Sequence, residues 1–165
     1  MNALARLIGT VCYVGHMKPA PGTWGSLVAL PLGFVIFQLG GFWLFAIAII
    51  AGFFKGCWAT EQMTKGSENH DPSEIVIDEV VGQWIALIPV FFAAWSLEIN
   101  ALALWPGWLA AFMLFRLFDI TKPWLVGWAD RRDDALGVML DDVIAGVFAA
   151  VCVVVLAGLF HQFLM

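Results

Sequence analysis

The sequence predicts an all-α protein: a polytopic membrane helix bundle of about five transmembrane segments with a short N-terminal interfacial helix. Three observations predict it. Apolar residues make up 62% of the 165 and charged residues 13%, against roughly 25% charged in soluble domains. Mean hydropathy is +0.89. Residues 27–54 carry no charge at all. So small a chain cannot hide that much apolar surface in one core, so lipid must solvate much of it. Nine Trp suit the same setting, since Trp favours the membrane interface. The length suits one membrane-embedded domain over residues 1–165.

Other classes fall away on composition. Eight Lys and Arg, with no basic cluster beyond Arg131-Arg132, leave no nucleic-acid footprint. Cys12, Cys57 and Cys152 are scattered without a CxxC and read as small apolar residues. The first residues do not make a secretory signal: the apolar run is short, with Arg6 and Lys18 around it.

Residues 2–17 are apolar but too short to span, so a helix lying in the interface is expected. The stretch 15–26 holds two Pro, three Gly and one Lys and reads as a loop. It is either a turn capped by Thr23 or Ser26, or an anion-binding loop whose Gly-freed amides precede a helix. The uncharged run 27–54 is long for one span and holds Gly40-Gly41. It is therefore divided into spans of about 24–39 and 42–60, with a bend possible at Pro31. A polar stretch follows, 61–74, including Glu61, Lys65, His70 and Asp71.

Asp71-Pro72-Ser73-Glu74 reads as a helix start, with Asp71 as N-cap and Pro72 at the first helical position. On that reading Asp78 and Glu79 lie about two turns inside a third span that ends near Leu97, with Pro89 within it. Span four is expected from about Ala101 to Phe118. Its end carries Arg116, Asp119 and Lys122, three residues apart and on one face if the helix continues. Residues 125–140 read as amphipathic and irregular. The last span covers about 142–163, with Asp141 or Asp142 as its N-cap or as a site acid.

Five spans gather every Lys and Arg, and every acid except Glu98, on or beside one set of loops. The positive-inside rule makes that side cytoplasmic, with the N-terminus in and the C-terminus out. Fusing 27–54 into one span would divide the basic residues and destroy this asymmetry. The Gly/Pro/Thr loop, Asp78-Glu79, Arg116–Lys122 and Asp141-Asp142 then converge at one depth. Carboxylate oxygens there can bind a hard cation, and Arg, Lys and backbone amides a phosphate. No Ser-His-Asp, Cys-based or zinc-like spacing is present.

Four blocks together resemble the phosphatidylglycerophosphatase A family: Pro-Gly-Thr-Trp-Gly-Ser (21–26), His-Asp-Pro (70–72) with Ile-Val-Ile-Asp-Glu (75–79), Phe-Arg-Leu-Phe-Asp-Ile-Thr-Lys-Pro-Trp (115–124) and Gly-Val-Met-Leu-Asp-Asp-Val-Ile-Ala-Gly (137–146). The similarity runs from about residue 9 to 150 with all blocks in order. One departure is Asp134-Ala135 ahead of Leu136-Gly137, where the family usually has a Gly-Gly pair.

The resemblance implies a Mg²⁺-dependent lipid phosphatase of the bacterial inner membrane. Its substrate would be phosphatidylglycerophosphate and its product phosphatidylglycerol, a step of phospholipid biosynthesis. Asp78, Glu79, Asp141 and Asp142, with Glu61 or Asp71, would hold one or two metal ions. Arg116 and Lys122 would hold the phosphate, and Asp119 would orient Arg116 or join the metal. Thr23 and the amides of Gly22 and Gly25 would seat the phosphate. Neighbouring acids on a helix point about 100° apart, which leaves open which of each pair touches the metal directly and which supports its neighbour. A carboxylate nucleophile is the rival mechanism, and a small ion-coupled transporter the rival function.

Overall fold

The computed structural model describes residues 2–66 and 72–164. No strand occurs among them. Six helices follow in order: α1 (Ala3–Gly9), α2 (Pro21–Thr64), α3 (Ile77–Ser96), α4 (Trp105–Thr121), α5 (Leu125–Asp130) and α6 (Ala135–Leu164). Short 3₁₀ turns at Val14–His16 and Ala101–Leu104 precede α2 and α4.

At 44 residues α2 would reach about 66 Å if straight, roughly twice a bilayer core. It is not straight. Gly40 (φ −151, ψ 19) and Gly41 (φ 66, ψ −163) leave helical geometry, and the positive φ of Gly41 is one that a side chain would resist. Contacts on either side show that the chain reverses there. Gly22 and Gly25 of the first arm lie against Glu79 and Val76, while Gly56 of the second arm lies near Ile77. Phe37 and Phe45, one from each arm, both pack on Phe91. The expected division of the uncharged run into two spans is therefore present as a helical hairpin. Within α2 the backbone departs from helix only at the glycine pair, so Pro31 does not break it. Four helical segments are long and apolar enough to cross a membrane, namely α2, α3, Ala101–Thr121 through α4, and α6, and the glycine pair divides the first of them into two arms.

Helix α3 is the centre of the bundle. In its most apolar stretch 72% of residues are buried, against 6%, 17% and 22% for α2, for the segment through α4 and for α6. The outer helices expose Leu, Ile, Val and Trp along their lengths, the surface expected of segments solvated by lipid.

Two helix starts differ from the sequence reading. Helix α3 begins at Ile77, not near Pro72. Ile75 and Val76 are buried in a non-helical approach, and the Val76 N–H donates to the Gly9 carbonyl (2.9 Å). That bond to the end of α1 diverts a donor that an earlier helix would have used. Asp78 and Glu79 are thus in the first turn of α3, where the positive end of the helix dipole favours carboxylates. The proposed N-cap Asp71 lies outside the described residues.

Conversely, α6 begins at Ala135 rather than near 142. The Asp134 carboxylate accepts from the Gly137 N–H (2.8 Å), which is the capping bond. Asp141 and Asp142 are about two turns inside the helix and do not cap it. The stretch read as irregular contains α5.

Candidate active site

The four groups of residues singled out above meet at one end of the bundle. They line a polar cavity of about 550 Å³ between the starts of α2, α3 and α6 and the end of α4.

Two glycines bring α3 and α6 together one turn beyond the cavity-lining Asp78 and Asp142. A Cβ on Gly82 of α3 would lie 2.6 Å from the Asp142 carbonyl oxygen, and one on Gly146 of α6 would strike the Gly82 carbonyl. The helices can touch only because neither residue has a side chain. Asp78 precedes Gly82 by four residues, and Asp142 precedes Gly146 by four. Each Asp therefore stands one turn above the crossing, and the two carboxylates face each other. Glu79 completes the group: Asp78, Glu79 and Asp142 each offer an oxygen within 4.8 Å of the others.

Asp78 and Asp142 are 7% and 3% exposed. Among the described residues, Glu79 Oε2 and Asp142 Oδ1 are buried with no hydrogen-bond partner. Buried carboxylate oxygens without partners are costly, and three clustered acids repel one another. A hard divalent cation with oxygen ligands removes both problems, so the donor set fits Mg²⁺.

Cations stand beside the acids. Arg116 pairs with Asp119 one turn on, both largely buried, and its Nη1 also donates to Ser26 Oγ (3.4 Å). Ser26 Oγ in turn donates to the Gly22 carbonyl (2.9 Å). Gly22 is needed for its missing side chain: a Cβ there would run into the Glu79 carboxylate and lie 3.3 Å from Arg116 Nη1. Helix α4 ends as Lys122 turns into left-handed backbone (φ 44, ψ 54). Its ammonium then bridges Asp130 of α5 and Asp141 Oδ2 of α6, the latter at 2.9 Å. Burial alone would lower the Lys122 pKa. The Asp130 hydrogen bond and the Asp141 charge outweigh burial and hold it above the usual lysine range.

Residues 7–157 match the family model described as Phosphatidylglycerophosphatase A. The chain belongs to this family. A Phosphatidylglycerophosphatase A of Haemophilus influenzae is 38% identical over 141 residues, 84% of this chain and 80% of the relative. One of Escherichia coli is 35% identical over 133 residues, 79% of this chain and 70% of the relative. A Bacteroides thetaiotaomicron protein, provisionally named a phosphatidylinositol-3-phosphatase, is 37% identical over 153 residues, 90% of this chain and 91% of the relative. No solved structure matches the chain.

In this chain Asp78, Glu79, Arg116, Asp119, Lys122, Asp141, Asp142 and Gly22 all line the cavity. Others of the expected set do not. Glu61 is exposed on the second arm of α2 and outside the lining. Thr23 is in the first turn of α2, its N–H bonded to the Ala20 carbonyl (3.0 Å). Gly25 lies against Val76, where a Cβ would approach to 2.9 Å, so it serves packing. The Gly/Pro stretch is a helix start, and it does not wrap the cavity as a loop.

Ser26 and Asp130 are the participants that sequence reasoning missed. Ser26 follows Gly22 by four residues, a helical repeat that becomes visible once α2 is known to start at Pro21. Asp130 had no such signal, because α5 was not recognised as a helix.

Proposed function

We propose that this protein hydrolyses the terminal phosphomonoester of phosphatidylglycerophosphate, with Mg²⁺, at the cytoplasmic leaflet of a bacterial inner membrane. The observation that carries the proposal is one cavity lined by both a cation-fitting trio (Asp78, Glu79, Asp142) and an anion-fitting guanidinium (Arg116), with Glu79 and Arg116 flanking Gly22. A phosphomonoester with a divalent counter-ion needs both at once. The relatives named for phosphatidylglycerophosphate support the substrate. The gathering of Lys and Arg at the cavity end supports the leaflet.

Asp78, Glu79 and Asp142 would hold the metal. Bound there, it would polarise the phosphoryl oxygen and lower the pKa of a water. Arg116 supplies a planar, permanently charged fork for the phosphate oxygens, aligned by Asp119 and Ser26. Lys122 adds a second positive charge on the α5 side. Asp141, neutralised by Lys122, acts as its anchor rather than as a ligand. In hydrolysis the bond between phosphorus and the glycerol oxygen breaks. The alkoxide leaves with a proton, and the phosphate departs with one oxygen from water. Whether water or a carboxylate attacks first is read by an acid-quenched single turnover of substrate radiolabelled in its terminal phosphate: a covalent route leaves label on the protein, whereas direct attack leaves none.

The test is phosphate release from phosphatidylglycerophosphate by detergent-purified protein, with Mg²⁺ and with EDTA. Phosphatidylinositol 3-phosphate is the comparison substrate suggested by the Bacteroides relative. Metal-dependent release from phosphatidylglycerophosphate is expected, lost in a folded Asp78→Asn variant. Preference for the inositol lipid would reassign the substrate. Release unaffected by EDTA would remove the metal from the mechanism.

A further inference from the structure

One polar side chain beneath the acids has no part in the account above. Gln83 of α3 is 0% exposed, and among the described residues neither its amide nitrogen nor its oxygen has a hydrogen-bond partner. An unpaired buried amide destabilises a fold, and in a lipid-solvated bundle especially. Gln83 follows Glu79 by four residues, so the two side chains stack on one face of α3 with Cβ atoms about 5–6 Å apart. Glu79 Oε2 is the buried oxygen that also lacks a partner. An orphan donor and an orphan acceptor are therefore helical neighbours.

The flanking residues fix the direction. Gly82 faces Phe115 of α4, and the Trp84 indole donates to the Ala29 carbonyl of the first arm (2.8 Å). At about 100° per residue, Gln83 points between them, toward the seam of α4 and that arm. Arg116 and Ser26 meet in the same seam.

We infer that Gln83 is a positioning residue for Glu79. When the acid trio takes up its cation, the Gln83 carboxamide donates to the inner oxygen of Glu79 and turns the other oxygen toward Asp78 and Asp142. Gln83 does not line the cavity and touches no substrate. The inference rests on the proposed role of Glu79 as a cation ligand.

Gln83→Leu and Gln83→Met test it. Both replace the orphan amide with an apolar chain of similar size, so the melting temperature in detergent stays level or rises. Mn²⁺ affinity, read by electron paramagnetic resonance of the free ion, falls about 10–100-fold, and phosphate release falls with it. Wild-type Mn²⁺ affinity in both variants overturns the inference. So does a loss of Mn²⁺ binding matched by a lower melting temperature in both. A wild-type protein that binds Mn²⁺ but releases no phosphate from phosphatidylglycerophosphate defeats the substrate proposal alone, and the Mn²⁺ measurements still decide Gln83. Wild-type protein that binds no Mn²⁺ overturns the metal site and this inference together.

Discussion

Gly82 of α3 and Gly146 of α6 are in backbone contact, and each has an acid one turn before it: Asp78 for the first, Asp142 for the second. The distance between those carboxylates is thus set by the absence of two Cβ atoms. Substitution by Ala at either glycine forces backbone apart, since a carbonyl oxygen obstructs each position, joined at Gly82 by the buried Phe115 ring. Gly82→Ala and Gly146→Ala should each destabilise the protein by about 1–3 kcal/mol. Phosphate release should fall further than the loss of folded protein explains, because the acids separate. Gly158→Ala is the control: nothing lies within 4 Å of a Cβ there, and helix propensity should give up to about 1 kcal/mol of added stability. Thermal melting in detergent reads all three.

Gly22→Ala should separate function from stability. The added methyl meets the flexible end of Glu79, which can move aside, so the fold is kept. Moving aside takes the carboxylate out of the acid trio. A loss of roughly 10-fold or more in phosphate release is expected, with little change in melting temperature. Equal activity in the variant would show that Glu79 need not hold its present position.

The Lys122 bridge has a defined pH signature. Its pKa is raised in the folded protein, because Asp130 and Asp141 outweigh burial. A raised cationic pKa gives stability that is fully present below the unfolded value of about 10.4 and is lost as pH rises through the folded value. Lys122→Met strips Asp141 of its partner and should cost about 1–3 kcal/mol. Deprotonation of Lys122 therefore contributes no narrowing of the melting gap between wild type and variant from about pH 7 to 9. A gap that closed in that window would contradict the bridge.

Asp134 offers a test of where α6 begins. Its carboxylate accepts from Gly137 N–H and is gripped by Arg132 through Nε (3.2 Å) and Nη2 (2.7 Å). The Arg132 hydrogen bonds hold the Asp134 pKa below the usual carboxylate range. A depressed acid contributes stability above its unfolded value near 3.9, lost as pH falls through the folded value. Asp134→Ala should lower stability by about 1 kcal/mol at neutral pH, and by a vanishing amount once both forms are protonated in acid. A helix starting near residue 142 would leave this variant as stable as wild type.

The fold was legible because hydropathy and charge report the solvent of each segment directly. The uncharged run could be divided at Gly40-Gly41 because residues 27–54 are long for one span, the glycine pair lies in their middle, and a single span would have split the basic residues between two sides. The acids and bases of the site were legible for the same energetic reason: Asp78, Glu79, Arg116, Asp141 and Asp142 sit where apolar neighbours make charge costly unless it is partnered.

Helix boundaries were not legible. The acids expected two turns deep, Asp78 and Glu79, are in a first turn; those expected at a cap, Asp141 and Asp142, are two turns in. Local cap chemistry at Asp71-Pro72 pointed to an earlier start for α3. That start was set instead by a bond from Val76 to Gly9, more than sixty residues away in sequence. Sequence alone determined that this is a membrane bundle with carboxylates and cations at one end, since burial in lipid is a property each residue carries with it. Tertiary structure decided which acids meet, because that depends on where helix backbones can touch. At Gly82 and Gly146 they touch, bringing Asp78, Glu79 and Asp142 together and leaving Asp141 to Lys122.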